Sequence, residues 1–163
     1  MSKNLRTSSG APDWDDKDRE ILRILQIEGR LANAELAERV HLSASACHRR
    51  VRALEDSGLI RDYVALLDET RAGLGGIAFV QVTLDQQGRA TLDRFEEAVT
   101  RHPEILECYL LAGATDYLLR IAYSDSADFE RIHRGTLTRL PGVMRVQSIP
   151  ALRTVKRTTA LPL

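Results

Sequence analysis

Only His41 and Leu42 separate a short helical pattern near Asn33 to Val40 from a longer one that opens after Ser43. A helical pattern also precedes this pair, and three short helices with so tight a turn between the last two are the signature of a helix-turn-helix. The ends of each helix are written in the chain. Asp15 is the expected N-cap of the first, with Asp18 three residues on and an apolar stripe of Ile21, Leu22, Ile24 and Leu25 before Gly29. The second buries Leu36, Ala37 and Val40. Ala32 stands where a serine would complete a capping box with Glu35, which leaves Asn33 as the expected cap. Ser43 caps the third helix and Gly58 ends it.

Helical periodicity sorts the third helix into faces. At about 100° per residue, Cys47, Val51 and Leu54 share one stripe, the core face. Ser45, Arg49 and Arg52 point away from it, with His48 on the flank, while the acids Glu55 and Asp56 come only in the last turn. A recognition helix needs this order: its N-terminal residues reach base edges and its cations meet phosphate. Arginine adds a fork that pairs bidentately with guanine. The expected DNA contacts are Ser43, Ser45, Ala46, His48, Arg49, Arg50 and Arg52. A charged helix by itself more often only solvates an outer face, and it is the tight turn and the two preceding helices that favour double-stranded DNA.

After Gly58 the period changes. Ile60 to Leu67 is β-rich and reads as a linking strand, and Asp68 to Gly76, with three glycines, as a hinge. Beyond it strand and helix patterns alternate. "IAFVQVTL" is a strand, and Leu92, Phe95 and Val99 mark a helix ending before Pro103. "ILECYLLAG" and "DYLLRIAY" are strands joined by a turn at Gly113 to Asp116. Phe129, Ile132, Leu137 and Leu140 mark a helix stopped by Pro141-Gly142, and "VMRVQSIPAL" is the last strand. The order β-α-β-β-α-β is that of the ferredoxin-like split βαβ. Pro150 cannot donate to a ladder, which suits the edge position the last strand takes in that topology. The fold class is therefore α+β. A flexible tail (1–13) precedes a helix-turn-helix domain (14–59), a hinge strand and linker (60–76), and a ferredoxin-like domain (77–163).

Charge and composition exclude other classes. The 23 basic residues balance 23 acidic ones, so attraction to nucleic acid must be local. From Arg131 to Leu163 there are seven Lys or Arg and no acid, a run expected to pair with the acid-rich surface of residues 85–130. The apolar runs are too short to span a bilayer and the N-terminus lacks an apolar signal core, so no membrane role and a cytoplasmic location are expected. Cys47 and Cys108 make no metal-type spacing, nor do His41, His48, His102 and His133, and no cofactor is implied.

These motifs resemble the Lrp/AsnC (leucine-responsive, feast-famine) family of transcriptional regulators. The stretch from "DWDDKDREILRIL" through "LSASACHRRVRALEDSGLI" is similar to their N-terminal half, and "ECYLLAGATDYLLR" and "RLPGVMRVQS" to their effector domain. The resemblance implies a helix-turn-helix, a hinge strand and a ferredoxin-like domain that dimerises and often builds octamers. It also implies a small effector, usually an amino acid, held between subunits. The matching motif here is Gly113, Ala114, Thr115, Asp116 and Tyr117, with Gln147 and Ser148 as further candidates. Thr115 stands where an aromatic residue is common in the family, Ala112 where a small hydroxyl residue is, and Ala44 where a proline is frequent. A glycine lets backbone N–H groups approach a carboxylate, and Asp116 is suited to an ammonium, so the turn matches both ends of an amino acid. Taken alone, such a turn between two strands is usually just a hairpin turn with Asp bonding its own backbone.

An enzyme would need a base, a nucleophile or a metal cluster placed together, and no such constellation is present. The rival to a DNA-binding regulator is an amino-acid sensor that acts through protein partners, its helix-turn-helix no longer reading DNA. Ser45, Arg49 and Arg52 argue against that loss.

Overall fold

The computed structural model describes residues 14–163, so the expected flexible tail lies outside the described residues. The chain forms two units. One comprises residues 14–65 together with Arg157–Leu163, the other Leu66–Lys156. The last seven residues, expected within the ferredoxin-like domain, thus join the helical unit.

In the helical unit α1 (Asp16–Leu25) starts from a reciprocal capping box. Asp18 N donates to Asp15 Oδ1 at 2.9 Å and Asp15 N to Asp18 Oδ2 at 3.1 Å, so an aspartate performs the return bond more often made by Glu. The expected cap of α2 (Asn33–Arg39) is corrected: the N-cap is Ala32, without a side-chain bond. Asn33 already has helical backbone, and its Nδ2 instead donates to Ala44 O at 2.9 Å, tying α2 to the start of α3 (Ala44–Asp56). Ser43 caps α3, its Oγ accepting from Ala46 N. The tight turn is a Schellman motif, with Leu42 N bonded to Ala37 O and His41 N to Glu38 O. His41 takes the left-handed position, at φ 53°, where glycine is usual. Ile21, Leu36, Val40 and Cys47 are fully buried between the helices, and Leu22, Ala37 and Leu54 complete the core.

Residues 60–67 form no strand. Residues 61–67 are exposed and join no sheet ladder among the described residues, and an extended segment becomes a strand only when another supplies the ladder.

The second unit runs β1 (Gly76–Leu84), α4 (Arg89–Val99), β2 (Ile105–Leu110), β3 (Tyr117–Tyr123), α5 (Ser126–Gly135) and β4 (Val143–Pro150). Its antiparallel sheet has the order β2-β3-β1-β4, the ferredoxin-like arrangement, with Pro150 at the end of an edge strand. The second helix is shorter than expected. It stops at Gly135, and Leu137 enters the core from a separate 3-10 turn. Alternation along β1 places Ala78, Val80, Val82 and Leu84 on the helix-covered face, where they pack with Phe95, Tyr117, Leu119, Ile121 and Ile132. Tyr117 lies against Phe95 with ring centroids 4.4 Å apart. Gly76 is required by close approach, since a Cβ there would stand 2.2 Å from the Tyr123 ring. The other sheet face carries Phe79, Gln81, Leu118, Arg120, Tyr109, Gln147 and Ile149, of which Phe79, Tyr109, Gln147 and Ile149 are exposed.

Candidate functional site

Two groups of residues carry chemistry, one in each unit. On α3, Ser43, Ser45, His48, Arg49 and Arg52 are exposed and Ala46 is half-buried. The packing of Cys47 and Leu54 into the core turns this face outward. Arg49 has no ion pair among the described residues. Arg52 is held only loosely by Glu55, at 3.7 Å. Arg50 differs. Its Nη1 donates to Asp15 Oδ2 and Asp18 Oδ1, both at 2.9 Å, so its guanidinium is turned towards the start of α1. Asp18 and then Asp15 hold Arg50 more firmly charged, and the same contacts, after the Asp18 N–H, keep the Asp15 carboxyl below its usual range. Arg50, one of the expected DNA contacts, is thus paired with carboxylates within the helical unit.

In the sheet unit the turn between β2 and β3 is pinned by Asp116, whose carboxylate is engaged within the fold. Asp116 is 6% exposed. Its Oδ2 accepts from Leu84 N at 2.7 Å and its Oδ1 from Gln87 Nε2 at 2.7 Å, while Asp116 N donates to Val82 O. The carboxylate thus caps the end of β1. Gly113 and Ala114 are exposed and Thr115 is half-buried, leaving the backbone of the turn accessible. Gly113 lacks the positive φ that would demand glycine. Gln147 and Ser148 point to opposite faces. Gln147 pairs with Gln81 on the open face, whereas Ser148 pairs with the buried Val80, its Oγ enclosed without a hydrogen-bond partner among the described residues. Strand β1 separates both from the turn. Gln87, in a loop with no sequence signal, was not anticipated.

The remaining reactive groups are quiet. Burial, then the Glu96 charge, pushes the Cys108 thiol up to about 11, and burial also raises Cys47. Among the described residues no three His, Cys, Asp or Glu side chains converge as a metal-binding group would, and no helix is long and apolar enough to cross a membrane. In the basic C-terminal run, Arg131 pairs with Asp128 at 2.6 Å and Arg134 with Glu130 at 3.1 Å, each one turn along the same helix.

Residues 77–161 match the Lrp/AsnC ligand binding domain and residues 15–61 a winged helix-turn-helix DNA-binding domain. The chain is 40% identical over 151 residues to the Bkd operon transcriptional regulator of Pseudomonas aeruginosa, covering 93% of this chain and 99% of that one. It is 38% identical to the leucine-responsive regulatory protein of Escherichia coli, covering 91% of each chain. Among solved structures, a Neisseria meningitidis transcriptional regulator in complex with L-Met superposes with a TM-score of 0.87 at 42% identity, over 91% of this chain and 96% of that one.

Proposed function

This chain belongs to the Lrp/AsnC family of transcriptional regulators, DNA-binding proteins, and from that premise we propose that its DNA binding is modulated by an amino acid held between subunits. DNA is met by Ser43, Ser45, Ala46, His48, Arg49 and Arg52 of α3. The observation that carries this is the division of labour among the arginines: Arg50 is paired with Asp15 and Asp18, while Arg49 projects from the same helix with no ion pair among the described residues. A cation kept free of local carboxylates is available to phosphate or guanine.

The effector site is the Gly113–Thr115 backbone, positioned by Asp116, with Gln147 or Ser148 contributed across a subunit interface. The L-Met complex of the Neisseria protein supports an amino acid as the ligand class. A homodimer or higher oligomer forms through the open sheet face, where Phe79 is 40%, Tyr109 52% and Ile149 44% exposed. The protein works in the cytoplasm, where its DNA is. The test is a thermal-shift screen against the common amino acids, followed by anisotropy titration of duplexes selected by the protein, with and without any amino acid found. At a hundred times its dissociation constant a ligand adds about 2.7 kcal/mol to the folded state. A screen with no stabilising amino acid, or DNA affinity indifferent to the one found, rejects the effector reading.

A further inference from the structure

Residues Arg157–Leu163 belong to the helical unit, and the way they are held is specific. Gln26, at the end of α1, meets Leu161 through both atoms of its amide. Leu161 N donates to Gln26 Oε1 at 2.5 Å, and Gln26 Nε2 donates to Leu161 O at 3.4 Å. A primary amide offers an acceptor and a donor side by side, so it engages the N–H and C=O of one residue as an adjacent strand would, whatever that residue's side chain. Arg23, on the same face of α1, donates from Nε to Leu163 O at 2.7 Å. Leu163 N returns to Leu161 O at 2.9 Å, closing a bend over Pro162, whose fixed φ lowers the entropy lost on docking. Leu163 then packs on the apolar cluster of the unit, beside a groove of about 530 Å³ lined by Leu22, Leu25, Ile60 and Tyr63.

We infer that Arg157–Leu163 is a latch that grips the DNA-binding unit by α1. The chain crosses between the units twice, after Ala65 and after Lys156. With the latch docked the helical unit is tethered at both crossings, and with it released only the first remains. The latch itself stands on the contacts to Gln26 and Arg23 and not on the DNA-binding reading.

The test uses hydrogen exchange, which needs no DNA. The full chain is compared with a chain ending at Thr158 and with Gln26→Ala. Expected is roughly tenfold faster exchange at amides 21–26 and at Ile60 of the shortened chain, with a smaller rise at the same amides in Gln26→Ala and none in β1 to β3. Should the shortened chain fail to fold, Gln26→Ala decides. Unchanged exchange in 21–26 means the segment is not docked in solution. Equal acceleration in β1 to β3 makes it a general stabilising element. Either result overturns the latch.

Discussion

The carboxylate of Asp116 accepts the main-chain N–H of Leu84 at 2.7 Å, 32 residues away in sequence, and so terminates β1 from the turn that leads into β3. A buried acceptor at that point is part of the fold before it is part of any ligand site. Asp116→Ala leaves the Leu84 and Gln87 donors unpaired and is expected to lower stability by about 1–3 kcal/mol in urea unfolding. Asp116→Asn keeps an acceptor for Leu84 and is expected to lose less. Equal stability of parent and alanine variant would show that the buried bonds contribute nothing net.

Arg49 and Arg50 are neighbours with separate tasks. Arg49→Ala is expected to weaken binding to the protein's preferred duplex by about 1–3 kcal/mol and to relax base preference, with unfolding unchanged. Arg50→Ala is expected to cost roughly 1 kcal/mol of stability, as two partly exposed ion pairs are lost, and to affect DNA binding less. Anisotropy and urea titrations of both variants check this, and a reversed pattern assigns the DNA contact to Arg50.

His41 holds a left-handed conformation, at φ 53°, in the turn before α3. His41→Gly relieves the clash of its Cβ but adds freedom to the unfolded chain, and the two together are expected to raise stability by about 0.5 kcal/mol. Thermal unfolding measures it, and a lower midpoint would mean the imidazole makes a compensating contact.

Gly76 faces the Tyr123 ring, and that ring is backed by Phe129 at a centroid distance of 5.1 Å. Gly76→Ala must push the tyrosine against its neighbour, and a loss of about 1–3 kcal/mol is expected in urea unfolding. A smaller penalty in Gly76→Ala combined with Tyr123→Leu than in the single variant would identify the ring as the cause. Additive penalties would exclude it.

Much of the architecture was legible in the chain because it is local. The stripe of Cys47, Val51 and Leu54, the caps at Asp15 and Ser43, the alternation along β1 and the placing of Pro150 at an edge depend on residues a few positions apart, where periodicity and backbone chemistry act directly. The sequence by itself therefore determined the element order, the two kinds of unit and the outward face of α3. It did not determine what long, flexible or short polar side chains reach. Whether Arg50 meets phosphate or Asp15 depends on a residue 35 positions earlier. Whether Asp116 faces a ligand or the end of β1 depends on Leu84 and Gln87. Ser148 and Gln147 are adjacent in sequence yet lie on opposite faces, because the sheet register with Val80 and Gln81 assigns their sides. Residues 60–67 have strand composition but no strand, since a ladder needs a partner that composition cannot supply. Only the tertiary structure decided these points, because each rests on pairing groups that the chain brings together by folding over many residues.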